Sequence, residues 1–127
     1  MKSKEVFDNT NHNKYKRGNI IIVDLGEGEG SEQRGERPCV VIQNNIGNRF
    51  APTIIVAPIT GQINKAKLPT HVELDCSKYS LDRDSIVILE QIKTVSKKRC
   101  KHFIGRLDSE IMSKIDKAIL ISLGIAS

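Results

Sequence analysis

The chain contains no tryptophan and only two tyrosines and three phenylalanines in 127 residues. It therefore has little with which to build the aromatic stacking platforms on which single-stranded nucleic acids are usually held. Its three cysteines, Cys39, Cys76 and Cys100, are odd in number and widely spaced, with no C-x-x-C pair and no histidine at metal-ligand spacing. That pattern argues against a zinc site or a disulfide framework and points to a reducing cytosol. No hydrophobic stretch is long enough to cross a bilayer and there is no signal-peptide h-region, so a soluble, cytoplasmic protein with no membrane partner is expected. Acid is missing from one region: between Lys93 and Arg106 there are six Lys or Arg and no Asp or Glu.

What is present fits one domain, long enough to bury a core and short enough that most of its apolar residues must serve it. The net charge of +5 favours a polyanionic partner. The basic run from Lys93 to Arg106 should concentrate that charge on one region, although a solvated basic face is the plainer reading of such a run.

Residues 1–15 are polar, rich in Asn and Lys, and carry no apolar periodicity, so they read as a mobile tail, with the domain occupying residues 16–127. His12 falls in that tail and is set aside, because a catalytic histidine needs a fixed orientation. Ile20-Ile21-Ile22-Val23 reads as a strand. The run from Leu25 to Glu36 has four glycines and is long for a hairpin connection. It is not a phosphate-binding P-loop, since no Gly-Lys-Ser or Gly-Lys-Thr follows, and not a dinucleotide fingerprint, since a strand follows where a helix is needed. A flexible flap over a groove fits it better. Cys39 to Ile42 and Ile86 to Leu89 are continuous apolar runs expected to be buried strands, with Cys39 a small core residue. Thr53 to Thr60 is a third strand, Gly61 to Thr70 a second long loop, His71 to Asp75 a short half-exposed strand with His71 on its polar side, and Lys101 to Leu107 a last strand. From Asp108 the period becomes helical: Ile111, Met112, Ile115, Ala118, Ile119 and Leu123 fall on one face, Asp108 is the N-cap and Gly124 the stop. Leu107 and Met112 sit where a hydrophobic staple requires them. The fold class is mainly β with a C-terminal helix, as a small barrel or a strongly bent sheet that the helix covers.

The chemistry centres on Arg37. It sits between the glycine-bearing loop and the strand after Pro38, which holds it extended, and it carries a permanently charged fork of donors suited to phosphate oxygens. The plainer alternative is a rim arginine paired with Glu36 or Glu32. Thr60, at another strand end, has a local cap as its plainer role. Gln33, Asn44 and Gln91, also at strand ends, are candidates for reading bases through their amides, or else solvent-facing side chains. In RNA cleavage the substrate's 2′-hydroxyl can attack the adjacent phosphate. A protein then needs charge stabilisation more than a metal, and one oriented donor such as Arg37 contributes about 2 to 4 kcal/mol. Thr60 holds its proton too tightly to be a base and suits positioning instead.

The segments Lys16-Arg17-Gly18-Asn19, Gly30-Ser31-Glu32-Gln33, Gly35-Glu36-Arg37-Pro38-Cys39-Val40-Val41-Ile42-Gln43-Asn44, Ile46-Gly47-Asn48, Pro58-Ile59-Thr60 and Leu89-Glu90-Gln91-Ile92, in that order, resemble the successive motifs of the MazF/PemK toxin endoribonucleases. The resemblance runs from about Lys16 to Leu123. It implies a PemK/CcdB-like, SH3-type small β-barrel, a homodimer, and sequence-specific cleavage of single-stranded mRNA without metal or other cofactor. It also implies inhibition by an acidic, MazE-like antitoxin that is partly disordered until bound. By the same resemblance the catalytic pair falls on Arg37 and Thr60, the substrate-binding flap residues on Ser31, Glu32 and Gln33, and the base-reading amides on Asn44 and Gln91. The tail before Lys16 and the Glu27-Gly28-Glu29 stretch of the flap depart from most members. The rival from another class is the gyrase-poisoning branch of the same fold, a binding module with no use for an Arg37 and Thr60 pair. A plain SH3-like interaction domain is a third reading.

Overall fold

Strand β2 (Asn19–Asp24) is built on the β-branched run Ile20 to Val23, and its alternate side chains enter two different cores. Ile20 joins Val40, Ala57, Ile59, Val87 and Leu89 on one face of the sheet, while Ile21 and Val23 join Cys39, Val41, Ile54 and Val56 on the other. The continuous apolar runs follow from this, since a strand covered on both faces has no side to leave polar. The computed structural model describes residues 5–6, 14–61 and 67–127.

Around β2 the described strands are β1 (Glu5–Val6), β3 (Glu36–Val41), β4 (Thr53–Thr60), β5 (His71–Leu74), β6 (Ser85–Ile88), β7 (Lys93–Ser96) and β8 (Cys100–Arg106). They form one antiparallel sheet in the order β1-β8-β2-β3-β4-β6-β5, with β7 also on β4. Strand β4 is the hinge of this arrangement. One edge of it pairs with β3, and the other is shared between β7, opposite Thr53 to Val56, and β6, opposite Ile59 and Thr60. The sheet is bent because a single strand serves two partners along one edge.

Helix α3 (Ser109–Ser122) lies on the first core, with Ile115 and Ala118 buried and the Ser122 hydroxyl donating to the Leu89 carbonyl at 2.8 Å. Asp108 caps it by accepting from Ile111 N–H, as its sequence position implies. Two short helices, α1 (Asn45–Phe50) and α2 (Cys76–Tyr79), and strand β7 were not expected from the sequence. No helix among the described residues is long and apolar enough to cross a membrane.

Four sequence expectations change. Tyr15, assigned to a mobile tail, is 1% exposed and belongs to the second core. It was missed because one aromatic in a polar stretch carries no periodicity. Glu5 and Val6 pair with Phe103 and His102 of β8, while residues 1–4 and 7–13 of the tail, including His12, lie outside the described residues, as do residues 62–66 of the second loop. The basic run is not a uniform solvated face. Lys97 is buried, its ammonium donating to the Asn48 carbonyl and resting 5.0 Å from the centre of the Tyr15 ring, and burial pulls its pKa below the usual lysine range. Finally, His71 is no free surface residue: its side chain is 5% exposed and its Nε2 lies 2.9 Å from Glu90 Oε2.

Candidate active site

The β3–β4 ladder sets the site. Cys39 pairs with Pro58 and Val41 with Val56, and extending that register by two residues along each strand would set Arg37 against Thr60, on the same face as the second core. There the core ends and the face opens. Arg37 is half-buried, and its Nε donates to the Arg34 carbonyl at 3.0 Å. That one bond turns the side chain without using its terminal amino groups. No carboxylate among the described residues forms an ion pair with it, so the Glu36 or Glu32 pairing is not what holds it. Thr60 is 4% exposed, at the end of β4 and paired with Ile86. Arg37 and the residues flanking Thr60, Ile59 and Gly61, line one cleft of about 180 Å³.

A second groove of about 330 Å³ runs beside it, lined by Glu32 and Gln33 of the flap, by Pro58, and by Glu90, Gln91 and Lys93. It meets β4 at Pro58, the residue before Ile59 of the Arg37 cleft. No aromatic residue among the described residues lines either of them. Gln91 ties the flap down: its Oε1 accepts from Gln33 N–H at 2.8 Å and its Nε2 donates to the Ser31 carbonyl at 3.1 Å. The flap also holds itself, through Leu25 N–H to the Gly35 carbonyl at 3.0 Å and Gly35 N–H to the Gly26 carbonyl at 2.8 Å. Gly28 is needed there, because its φ is +65° and a Cβ would meet the Arg34 Cβ at 3.2 Å.

Neighbouring groups keep the groove wall in place. The Lys93 ammonium donates to the Leu25 carbonyl at 3.0 Å. Partial burial pushes the Glu90 carboxyl up, but the Thr70 hydroxyl at 2.7 Å and His71 outweigh it and hold it below the usual carboxylate range. His71 Nδ1 accepts from Leu68 N–H, which leaves Nε2–H for Glu90. Behind the site the Cys39 thiol is pushed far up by burial, and that of Cys100 is pushed up to about 11. Neither offers a thiolate near neutral pH.

The structure thus gathers Arg37 and Thr60 at one strand end, and Ser31, Glu32, Gln33 and Gln91 along the adjoining groove. Asn44 stands apart. It lies seven residues along the chain from Arg37, past the other end of β3, where its Oδ1 caps α1 by accepting from Gly47 N–H at 2.8 Å. Three side chains at the site were given no site role from the sequence: Lys93, Glu90 and Arg83. Arg83 lines the Arg37 cleft from a turn of alternating charge. The available signal was that the β6 run begins three residues after it. The one group of possible metal ligands among the described residues is Asp75, Cys76 and Asp84, which faces a different cleft. There Asp75 accepts from Ser77 N–H and Asp84 from Cys76 N–H, turn-capping roles that already account for both.

Residues 16–123 match the family described as PemK-like, MazF-like toxin of type II toxin-antitoxin system. The chain belongs to that family. Endoribonuclease EndoA of Bacillus subtilis (strain 168) is 56% identical over 110 residues, covering 87% of this chain and 95% of its own. Among solved structures, an endoribonuclease in complex with its cognate antitoxin from a mycobacterial species superposes with a TM-score of 0.74 at 25% identity, over 89% of this chain and 98% of that one. A MazF from Deinococcus radiodurans gives 0.73 at 17% identity, over 87% and 96%, and so shares the fold. The mainly antiparallel sheet with its C-terminal helix is therefore the MazF/PemK fold.

Proposed function

We propose that this toxin is a sequence-specific endoribonuclease that cleaves single-stranded mRNA in the cleft at Arg37, using the substrate's own 2′-hydroxyl as nucleophile. The observation that carries this reading is the cleft that Arg37, in no ion pair with a carboxylate among the described residues, shares with Ile59 and Gly61, the two neighbours of Thr60 at the end of β4. The 2′-oxygen loses its proton and bonds to phosphorus, the phosphorus–5′-oxygen bond breaks, and that oxygen takes up a proton. The products are a 2′,3′-cyclic phosphate and a 5′-hydroxyl end. Arg37 hydrogen-bonds the non-bridging oxygens as negative charge accumulates on the phosphorane. Thr60 positions, so Thr60→Ala weakens cleavage less than Arg37→Ala does. Bases are read along the adjoining groove by amides and backbone groups, with Gln33 and Gln91 the nearest. Asn44 would reach RNA only beyond the far end of β3. The gyrase-poisoning branch of the same fold has no need of this pair, which is why the nuclease reading is preferred.

The same groove is where an inhibitor would act. A homologue is seen with its cognate antitoxin, and we assign to this chain an acidic, MazE-like partner, partly disordered until bound, whose carboxylates follow the path of RNA phosphates. A homodimer in the cytoplasm belongs to this reading as well. The test is an RNA oligonucleotide with one deoxynucleotide 5′ of the scissile phosphate, assayed with EDTA present. The all-ribose strand is expected to be cut and the substituted strand to remain intact. Cutting of both would overturn the 2′-hydroxyl mechanism.

A further inference from the structure

The Arg37 cleft has a second guanidinium. Arg83 lines it with Arg37, Ile59 and Gly61, and among the described residues the one carboxylate on its wall is Asp82. The sheet delivers Arg83 there: Thr60 pairs with Ile86, so the turn before β6 folds back onto the end of β4. The turn is held by the two residues that follow the arginine. The Ser85 hydroxyl donates to the Arg83 carbonyl at 2.8 Å, and Asp84 accepts from Cys76 N–H at 3.0 Å. The side chain lies flat against Gly61, because a Cβ built on that glycine would come within 2.4 Å of Arg83 Cδ and 2.8 Å of Cγ. Gly61 has no left-handed φ, so its lack of a side chain answers to space for Arg83 and not to backbone strain.

No carboxylate among the described residues forms an ion pair with Arg83. Two guanidiniums facing one small cleft repel each other unless an anion lies between them, and the fork geometry of each suits two oxygens of one phosphate group. We infer that Arg83 is a second phosphate-binding arginine of the site, holding the phosphodiester beside Arg37, with Gly61 as the floor that lets it reach. The inference rests on the reading of this cleft as the RNA cleavage site and adds a residue to it.

The test uses Arg83→Ala, Arg83→Lys, Gly61→Ala and the Arg83→Ala/Gly61→Ala pair, each checked for folding by circular dichroism, with Arg37→Ala as reference. The readouts are single-turnover cleavage of a single-stranded RNA transcript and the salt dependence of binding to an oligonucleotide made uncleavable by 2′-O-methylation at a mapped cut. Arg83→Ala is expected to lose about 10- to 100-fold in cleavage, as for a lost charged hydrogen bond, and its log Kd against log salt slope should shrink by about 0.7, one phosphate contact on a single strand. Arg83→Lys should recover part of the rate and the whole slope. Gly61→Ala should reproduce the Arg83→Ala loss, and the pair should be no worse than either alone. Native-like cleavage by Arg83→Ala, an unchanged slope, or multiplying losses in the pair would each overturn the inference. If Arg37→Ala cleaves normally, the reading of the cleft itself fails; if Arg37→Ala is inactive while Arg83→Ala is not, only the role of Arg83 does.

Discussion

Replacing Gln91 by alanine removes the two hydrogen bonds that fasten the flap to the Leu89–Gln91 turn. Each such bond contributes a net 0.5 to 1.5 kcal/mol or so, giving roughly 1 to 3 kcal/mol for the pair. A factor of ten in an equilibrium corresponds to about 1.4 kcal/mol, so the open flap should become roughly 5- to 150-fold more populated. Amide hydrogen exchange at Gln33 reads this directly, since its N–H is the one that Gln91 Oε1 accepts. Its protection should fall by that factor while the amides of Leu25 and Gly35, bonded within the flap's own base, keep theirs. Gln91→Glu separates the two bonds: its carboxylate still accepts from Gln33 but meets the Ser31 carbonyl as another acceptor, so intermediate protection is expected. Unchanged exchange at Gln33 in Gln91→Ala would refute the latch. A fall of equal size at Leu25 and Gly35 would show that the whole flap, and not its tip, depends on Gln91.

Tyr15→Ala should destabilise the fold by about 3 kcal/mol, the low end for removing a buried aromatic, and deletion of residues 1–15 should do at least as much; equilibrium urea unfolding measures both, and a loss under 1 kcal/mol or so would show that Tyr15 is not a core residue. Acid stability should depend on Asp108. Its carboxyl is held well below the usual range by Ile111 N–H, then by the Tyr79 hydroxyl and Lys78. A carboxylate with a lowered folded pKa stabilises fully above its unfolded value and loses that contribution as pH falls through the folded one. The melting temperature of the native chain should therefore drop more steeply below about pH 4 than that of Asp108→Asn, which starts lower at neutral pH; parallel curves would contradict this.

Much of the frame was legible because its signals are local. The runs Ile20 to Val23 and Ile86 to Leu89 can only be buried strands, and the 3.6-residue spacing from Ile111 to Ile119 with Asp108 before it marks α3 to the residue at its start. Arg37 and Thr60 were legible as strand ends, and the pairing of β3 with β4 carries those two ends toward one another. Elements whose stability comes from elsewhere were not legible. Helix α1 is a six-residue stretch made by the Asn44 cap, and β7 has two exposed residues and exists because β4 offers it an edge. Lys97 reads as surface charge, since nothing adjacent announces that Tyr15 and the Asn48 carbonyl will enclose it. Arg83 reads as one charge among several in a turn. Its place beside Arg37 depends on the pairing of Thr60 with Ile86 and on the absence of a side chain at Gly61, two facts of tertiary structure.

The central claim is that Arg37 stabilises the charge that builds on the phosphate during RNA cleavage. Single-turnover cleavage of a single-stranded RNA transcript by Arg37→Ala, set against the native chain at equal concentration and with circular dichroism confirming the fold, tests it most directly. A loss of about 10²- to 10³-fold, the usual effect of removing one such donor, with the melting temperature unchanged, is the predicted result. Cleavage at the native rate by a folded Arg37→Ala chain would contradict it.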